Sequence, residues 1–146
     1  FNILQSRMSF DDIDILDLFG GTGCISYELA SRGASKLTII EKDPIMQGFI
    51  QKNIAMLNIE GAQVLKLDVF AYLNSCTSTY DFIFAGPPYA LGTIDELPKI
   101  IVAKKLIKPG GFFVLEHTPR NDYKNFEGYS FQRNYGTTIF SFFVAT

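Results

Sequence analysis

The stretch from Asp12 to Gly23, D-I-D-I-L-D-L-F-G-G-T-G, constrains the fold more than any other part of the chain. Its apolar residues run too continuously for a strand with one wet face, and they are typical of a parallel sheet covered on both faces. The glycines allow positive φ and close approach of a ligand, and a helical pattern begins directly afterwards. The stretch predicts a small-molecule site at the end of a central strand, with a tight turn that holds no ligand as the alternative.

The rest of the chain alternates between strand and helix patterns. Strands are predicted at 11–19, 36–40, 64–67, 80–85, 112–116, 129–135 and 137–144, and helices at 24–32, 44–57, 70–73 and 94–107. Residues 1–7 resemble the end of a further helix, and 108–111 are predicted to form a turn. This order predicts an α/β fold with a doubly wound, mostly parallel seven-stranded sheet, closed at one edge by an antiparallel hairpin around Gly136.

Helix ends are marked by capping residues. Thr22 is expected to cap the first helix and Gly33 to end it, and Asp43 followed by Pro44 predicts the start of the second. Pro98 is expected in the first turn of the last helix, whose inward residues are predicted to be Leu97, Ile101 and Leu106. The predicted buried stripe of the second helix consists of Ile45, Phe49, Ile50, Ile54 and Leu57.

The composition favours one ordinary globular domain over residues 1–146, with 19% charged and 47% apolar residues. No run is long enough to span a membrane and no leader pattern is present, so we expect a cytoplasmic location and no membrane partner. A chain that begins at Phe1 rather than Met is expected to be a fragment. The net charge of −2 argues against tight binding of nucleic acid by this part alone.

Cysteine and histidine are scarce. Cys24 and Cys76 lack metal-ligand spacing and are expected to be free thiols. His117 is the only histidine, which excludes a histidine-based metal cluster. We therefore expect no metal in the site.

Acidic residues and a proline motif follow four of the predicted strands, at Asp17, Glu41, Asp68 and 86–89. In parallel sheets, ligands bind beyond the carboxyl ends of the strands. Glu41 is positioned to accept both hydroxyls of a ribose, and a solvated strand end is the alternative. Asp68 is positioned to accept from an adenine amine while Val69 offers a backbone N–H, and a helix cap is the alternative.

The glycine loop is not a dinucleotide fingerprint, and an adenosine with a short zwitterionic tail fits these acceptors better. That description predicts S-adenosylmethionine as the cofactor.

The segments D-L-F-G-G-T-G, I-I-E-K-D, F-I-F-A-G-P-P-Y and R-N-Y-G-T-T-I-F-S-F-F together resemble the RsmD-type 16S rRNA guanine-N2 methyltransferases of bacteria. The resemblance covers nearly the whole chain in order, and the combination is specific. It implies a Rossmann-like class I methyltransferase fold, S-adenosylmethionine as methyl donor, 16S rRNA or an assembling small ribosomal subunit as partner, and a monomer. The cofactor-binding residues it implies are Asp17, Phe19, Gly20, Gly21, Gly23, Glu41, Lys42, Asp68 and Val69.

The resemblance implies that 86–89 form the catalytic motif. An exocyclic amine is a poor nucleophile, so acceptors must hold its N–H bonds as it attacks the methyl group. In the family these acceptors are the first side chain of the motif and the carbonyl of the following proline, here Gly86 and Pro87. Pro87 and Pro88 are expected to fix the loop, and Tyr89 to stack on the base.

Two departures from the family pattern affect this prediction. Gly86 stands where the family has Asp or Asn. The loss of a charge-assisted hydrogen bond there is expected to raise the activation free energy of methyl transfer by about 1.5–3 kcal/mol. It is not expected to prevent cofactor binding. The family also has an N-terminal extension with a β-hairpin thought to grip RNA, and the match begins after it.

Two other functions are compatible with the motifs. An adenine-N6 DNA methyltransferase uses the same proline motif, but no target-recognition domain is present. A cofactor-binding module with weak or no catalysis would follow from Gly86.

Glu116 and His117 either line the RNA side of the pocket or are satisfied by neighbouring backbone. Phe140, Phe142 and Phe143 are expected to pack in the core and at the edge.

Overall fold

A computed structural model describes residues 13–20, 24–34, 36–88 and 91–146 of the chain. The described strands are β1 (Asp14–Leu18), β2 (Lys36–Ile40), β3 (Ala62–Leu65), β4 (Tyr80–Ala85), β5 (Ile107–His117), β6 (Tyr129–Tyr135) and β7 (Thr138–Phe143). The described helices are α1 (Cys24–Ser31), α2 (Pro44–Met56), α3 (Val69–Ser75) and α4 (Glu96–Ala103). The predicted helical end at 1–7 and the predicted cap Thr22 lie outside the described residues.

The strands form one seven-stranded sheet in the order β3-β2-β1-β4-β5-β7-β6. The first five strands pair in parallel, and β1 is central to them, with Ile15 opposite Leu37 of β2 and Phe82 of β4. β7 lies antiparallel between β5 and β6. This arrangement confirms the predicted doubly wound sheet and its antiparallel C-terminal hairpin.

Side chains alternate along each strand, so the apolar residues of a strand point to both faces of the sheet. Helices cover both of these faces. One core cluster joins Leu16 of β1 to Leu73 of α3 and Leu97 of α4. The other joins Ile15 of β1 to Leu29 of α1. Two covered faces account for the continuous apolar composition of the central strands.

The start of α2 is confirmed, but its predicted buried stripe is wrong. Asp43 accepts the backbone N–H of Ile45 at 2.9 Å, and Pro44 is the first helical residue. Ile50 is the buried residue of the helix, whereas the side chains of Ile45 and Phe49 are 80% and 49% exposed.

The reason for this error is the position of α2 at one side of the sheet. Leu57, just beyond the helix, is also exposed, and Ile54 is half-buried. β3 is the edge strand, so part of the apolar surface of α2 extends beyond the residues it could pack against. Among the described residues, no helix is long and apolar enough to cross a membrane.

Several predicted boundaries are also corrected. β1 begins at Asp14 and β3 ends at Leu65, because Asp68 caps α3 and residues 66–67 turn toward it. α4 ends at Ala103 rather than 107, since Lys105 adopts φ 55° and breaks the helix. β5 begins at Ile107 rather than 112.

The predicted turn at 108–111 is an irregularity within β5. It lies between the pairs Tyr80 with Ile107 and Phe82 with Phe112. The sequence Pro109-Gly110-Gly111 predicted a break in the ladder correctly, but β5 continues on both sides of it.

Candidate active site

A cavity of about 540 Å³ opens at the carboxyl ends of the parallel strands. It brings together residues that follow β1, β2, β3 and β4, including the predicted Phe19, Glu41, Asp68 and Gly86, but not Asp17. The lining residues are Phe19, Ile40, Glu41, Lys42, Leu67, Asp68, Val69, Phe70, Gly86, Pro87, Pro88, Leu91 and Thr93. A cavity of this volume is in the range of small-molecule sites in proteins.

The end of β1 turns sharply at the cavity. Phe19 has φ 61°, a conformation that a non-glycine residue rarely adopts. The backbone N–H of Gly20 donates to the carbonyl of Ile40 at 3.0 Å. A Cβ on Gly20 would lie 2.6 Å from Cγ2 of Ile39, so this glycine is required for packing against β2. Gly21 and Gly23 lie outside the described residues.

Glu41 follows β2 and lines the cavity, where it is half-buried. Its Oε2 accepts the backbone N–H of Asp43 at 3.1 Å, which orients the carboxylate at the end of the strand. Lys42 lines the same wall. A carboxylate fixed in this way is suited to accept hydroxyl groups.

Asp68 also lines the cavity, and it caps α3. Its Oδ2 accepts the backbone N–H groups of Phe70 and Ala71 at 3.0 and 3.1 Å. Both bonds end on Oδ2, no described residue donates to Oδ1, and the N–H of Val69 donates to no described residue. Asp68 can therefore cap α3 through Oδ2 and still offer Oδ1, next to the N–H of Val69, for the predicted contact with adenine.

Asp17 is buried behind the cavity and does not line it. Its Oδ2 accepts the hydroxyl of Ser26, in the first turns of α1, at 2.7 Å. Burial raises the pKa of Asp17 to about 7, the Ser26 hydrogen bond opposes that rise, and the charge of Glu41 adds to it. The sequence did not predict Ser26 as a partner, because no local motif links positions nine residues apart.

The segment after β4 forms the remaining wall. Gly86, Pro87 and Pro88 line the cavity, and the carbonyl of Pro88 accepts the N–H of Leu91 at 3.0 Å. Tyr89 lies outside the described residues. The cavity is also lined by residues that were not predicted as site residues, namely Ile40, Leu67, Phe70, Leu91 and Thr93. The first three each adjoin a predicted residue in the sequence, whereas Leu91 and Thr93 had no sequence signal.

His117 has a structural role. It is 1% exposed, its Nδ1 lies 2.9 Å from the carbonyl of Thr118, and its Nε2 lies 2.7 Å from Oγ of Ser141. Burial lowers the pKa of His117. The alternative of a satisfied strand-end histidine is therefore confirmed. Phe142 and Phe143 are buried, which confirms their predicted place in the core.

Comparisons with known proteins match the chain over almost its whole length. A family described as conserved hypothetical protein 95 matches residues 1–144. The ribosomal RNA small subunit methyltransferase D of Buchnera aphidicola is 31% identical over 102 residues, which cover 69% of this chain and 53% of that protein. The chain spans about half the length of the curated relatives it matches.

Solved structures share the fold. A hypothetical protein of Thermus thermophilus superposes with a TM-score of 0.86 at 27% identity, covering 100% of this chain and 82% of that one. The 16S rRNA N2 methyltransferase RsmC of Thermus thermophilus, solved with AdoMet and guanosine, superposes with a TM-score of 0.78 at 25% identity. That alignment covers 99% of this chain and 41% of the enzyme. The fold is therefore that of the class I methyltransferases.

Proposed function

The chain belongs to the conserved hypothetical protein 95 family, which contains the RsmD-type methyltransferases, and from this premise we propose that it methylates 16S rRNA. The methyl group would pass from S-adenosylmethionine to the exocyclic N2 amine of a guanine, in free 16S rRNA or an assembling small subunit. The observation that carries the proposal is the single cavity that unites Glu41, Asp68 and the proline segment after β4.

The residues of the cavity fit S-adenosylmethionine. Glu41 would accept the ribose hydroxyls, and Oδ1 of Asp68 with the N–H of Val69 would bind the adenine edge. Apolar contacts for the adenine ring would come from Ile40 and Phe70. When bound, S-adenosylmethionine supplies a methyl group on a positively charged sulfur.

Asp17 is proposed to act from behind this site rather than by direct contact. Its pKa of about 7 leaves Asp17 partly ionised at neutral pH, and together with Glu41 it places negative potential near the turn that follows β1. Such potential favours a ligand with cationic groups. The buried Ser26 bond holds the carboxylate in one orientation.

The chain's part in transfer is to hold the substrate amine. Pro87 and Pro88 would keep the segment after β4 rigid, so that backbone carbonyls accept from the amine in a fixed direction. Tyr89 would stack on the target base. This chemistry requires no metal ion.

The first experiment measures binding and methylation together. Calorimetry with S-adenosylmethionine should show binding by the wild-type protein. Glu41→Ala should weaken it by about 1–3 kcal/mol, because ribose hydroxyls would lose a charged acceptor. Glu60→Ala is the matched control, since Glu60 is exposed and does not line this cavity.

The substrate is then identified by mass spectrometry of nucleosides from 16S rRNA and from DNA. Methyl on guanine N2 of the RNA is expected. Methyl on adenine N6 of DNA would replace the proposal with the DNA alternative, and binding without any transfer would leave a cofactor-binding module. Equal affinities of wild type and Glu41→Ala would contradict the proposed ribose contact.

A further inference from the structure

The position beyond β4 lacks a side chain, and a carboxylate from the neighbouring strand lies beside it. A Cβ placed on Gly86 would lie 3.2 Å from Cε2 of Phe84 and 3.8 Å from Oε1 of Glu116. Oε1 of Glu116 is the only polar atom among these closest neighbours. A carboxylate therefore approaches the place that a polar side chain at position 86 would occupy.

Strand pairing explains why Gly86 and Glu116 meet. Ala85 of β4 is opposite Leu115 of β5 in a parallel pair, so the next residue of each strand lies at the same edge of the sheet. Glu116 does not line the cavity that Gly86 helps to form. The carboxylate thus lies beside the proline segment and outside the proposed cofactor cavity, where a substrate amine would approach.

Among the carboxylates of the described residues, Glu116 is distinguished by being partly buried without a hydrogen-bond or salt-bridge partner there. Glu28 pairs with Arg32, Asp81 pairs with Lys108, and Asp95 accepts the hydroxyl of Tyr123. Glu116 is half-buried and makes no hydrogen bond or salt bridge with a described residue. A carboxylate that is partly removed from water is stabilised by a donor, which a ligand can supply.

We propose that Glu116 accepts an N–H of the substrate's exocyclic amine and so performs from β5 the role that Gly86 lacks on β4. This inference rests on the proposed function. The nitrogen lone pair forms the new N–C bond, the electron pair of the broken C–S bond stays on sulfur, and one N–H proton passes to Glu116 and then to water. Glu116 is then a catalytic residue contributed by β5.

The test is a double-mutant cycle in the full-length protein, with single-turnover methylation of 16S rRNA and calorimetry with S-adenosylmethionine. Glu116→Gln preserves size but removes the negative charge, and its amide oxygen cannot take up the proton, so transfer should slow roughly 10- to 100-fold. Its affinity for S-adenosylmethionine should remain within about twofold of wild type, since Glu116 does not line the cavity. Glu127→Gln, at an exposed loop position, is the control and should match wild type.

The second arm repeats Glu116→Gln in a Gly86→Asp background. Among the three atoms nearest to a Cβ at position 86, only those of the Phe84 ring are close enough to require a slight shift. The introduced carboxylate should take over as acceptor, so Glu116→Gln should then change the rate less than about threefold. Non-additivity of this kind is the signature of one shared role.

Each contrary result has a distinct meaning. A wild-type rate in Glu116→Gln, or an equal loss in both backgrounds, would overturn the inference while the proposed function stands. An inactive wild type made active by Gly86→Asp would also overturn it, because Glu116 would not suffice as acceptor. Absence of transfer to RNA in all four proteins would overturn the proposed function together with the inference.

Discussion

The two sides of the sheet are stabilised in different ways. We call β5, β7 and β6 the aromatic half, because rings from its strands stack on one another, as Phe113 does with Phe143 at a centroid distance of 5.4 Å and Phe131 with Phe142 at 4.2 Å. We call β1, β2, β3 and β4 with α1 and α2 the cavity half. It contains the buried carboxyl of Asp17 and leaves Ile45 of α2 80% exposed.

This difference indicates a division of roles. Close-packed rings contribute stability that does not depend on a ligand. The polar strand ends of the cavity half contribute less to the core and are positioned to bind. Substitutions in the two halves should therefore separate stability from binding.

The largest expected effect is in the aromatic half. Phe143 is fully buried and contacts the rings of Phe113, Tyr123 and Tyr129. Phe143→Ala should lower the free energy of unfolding by about 3–5 kcal/mol, because it removes a buried ring and leaves a cavity. Phe49→Ala deletes the same atoms from the 49% exposed position in α2 and should cost less than about 1 kcal/mol.

Urea denaturation of both variants measures this contrast. Equal losses would show that the two halves do not differ in the way their rings are buried. Cofactor affinity should be close to wild type for Phe49→Ala, since Phe49 does not line the cavity.

The next effect depends on pH and lies in the cavity half. Burial raises the pKa of Asp17 to about 7. The folded chain therefore keeps a proton that the unfolded chain releases, and this group makes the protein less stable as pH rises from about 4 to about 7. Asp17→Asn cannot ionise, and its Oδ1 can still accept from Ser26.

As pH rises, the free energy of unfolding of wild type should therefore fall relative to that of Asp17→Asn. The expected slope is at most about 1.4 kcal/mol per pH unit within that window, and it should level off above it. Urea denaturation at several pH values measures it. A difference that is constant from pH 4 to pH 8 would show that Asp17 is ionised in the folded chain throughout.

The smallest effect is expected at the exposed end of α2. Ile45→Ser should change the free energy of unfolding by less than about 0.5 kcal/mol, because the side chain is already 80% exposed. Ile50→Ala is the buried counterpart, and it should lower the free energy of unfolding by about 2–5 kcal/mol. Thermal unfolding of both variants makes the comparison. If Ile45→Ser lowered the free energy of unfolding by more than about 1 kcal/mol, Ile45 would belong to the buried stripe that the sequence predicted.

The sequence was informative where local chemistry determines structure. Asp43 with Pro44 predicted the start of α2, and continuous apolar residues predicted β4 and its neighbours, because capping and burial on two faces leave direct patterns. The acidic strand ends predicted that Glu41 and Asp68 would meet around the cavity, since parallel strands end at a common edge, but they also placed Asp17 there, and it is buried behind the cavity.

What the sequence did not predict depends on tertiary contacts. The inward face of α2 is set by its place beside the edge strand β3, and a pattern with apolar residues on several sides does not reveal it. The bond from Ser26 to Asp17 and the approach of Glu116 to Gly86 join residues on different elements. Such contacts follow from strand order, which no local motif specifies.

The position of β7 has a consequence for how the protein is made. β6 pairs with β7 and with no other described strand, although β6 precedes β7 in the chain. During translation β6 therefore leaves the ribosome without a partner and must wait for β7 before it can join the fold. Until then the hydrogen-bonding edge of β5 is open, and an open strand edge is a template for pairing with another chain.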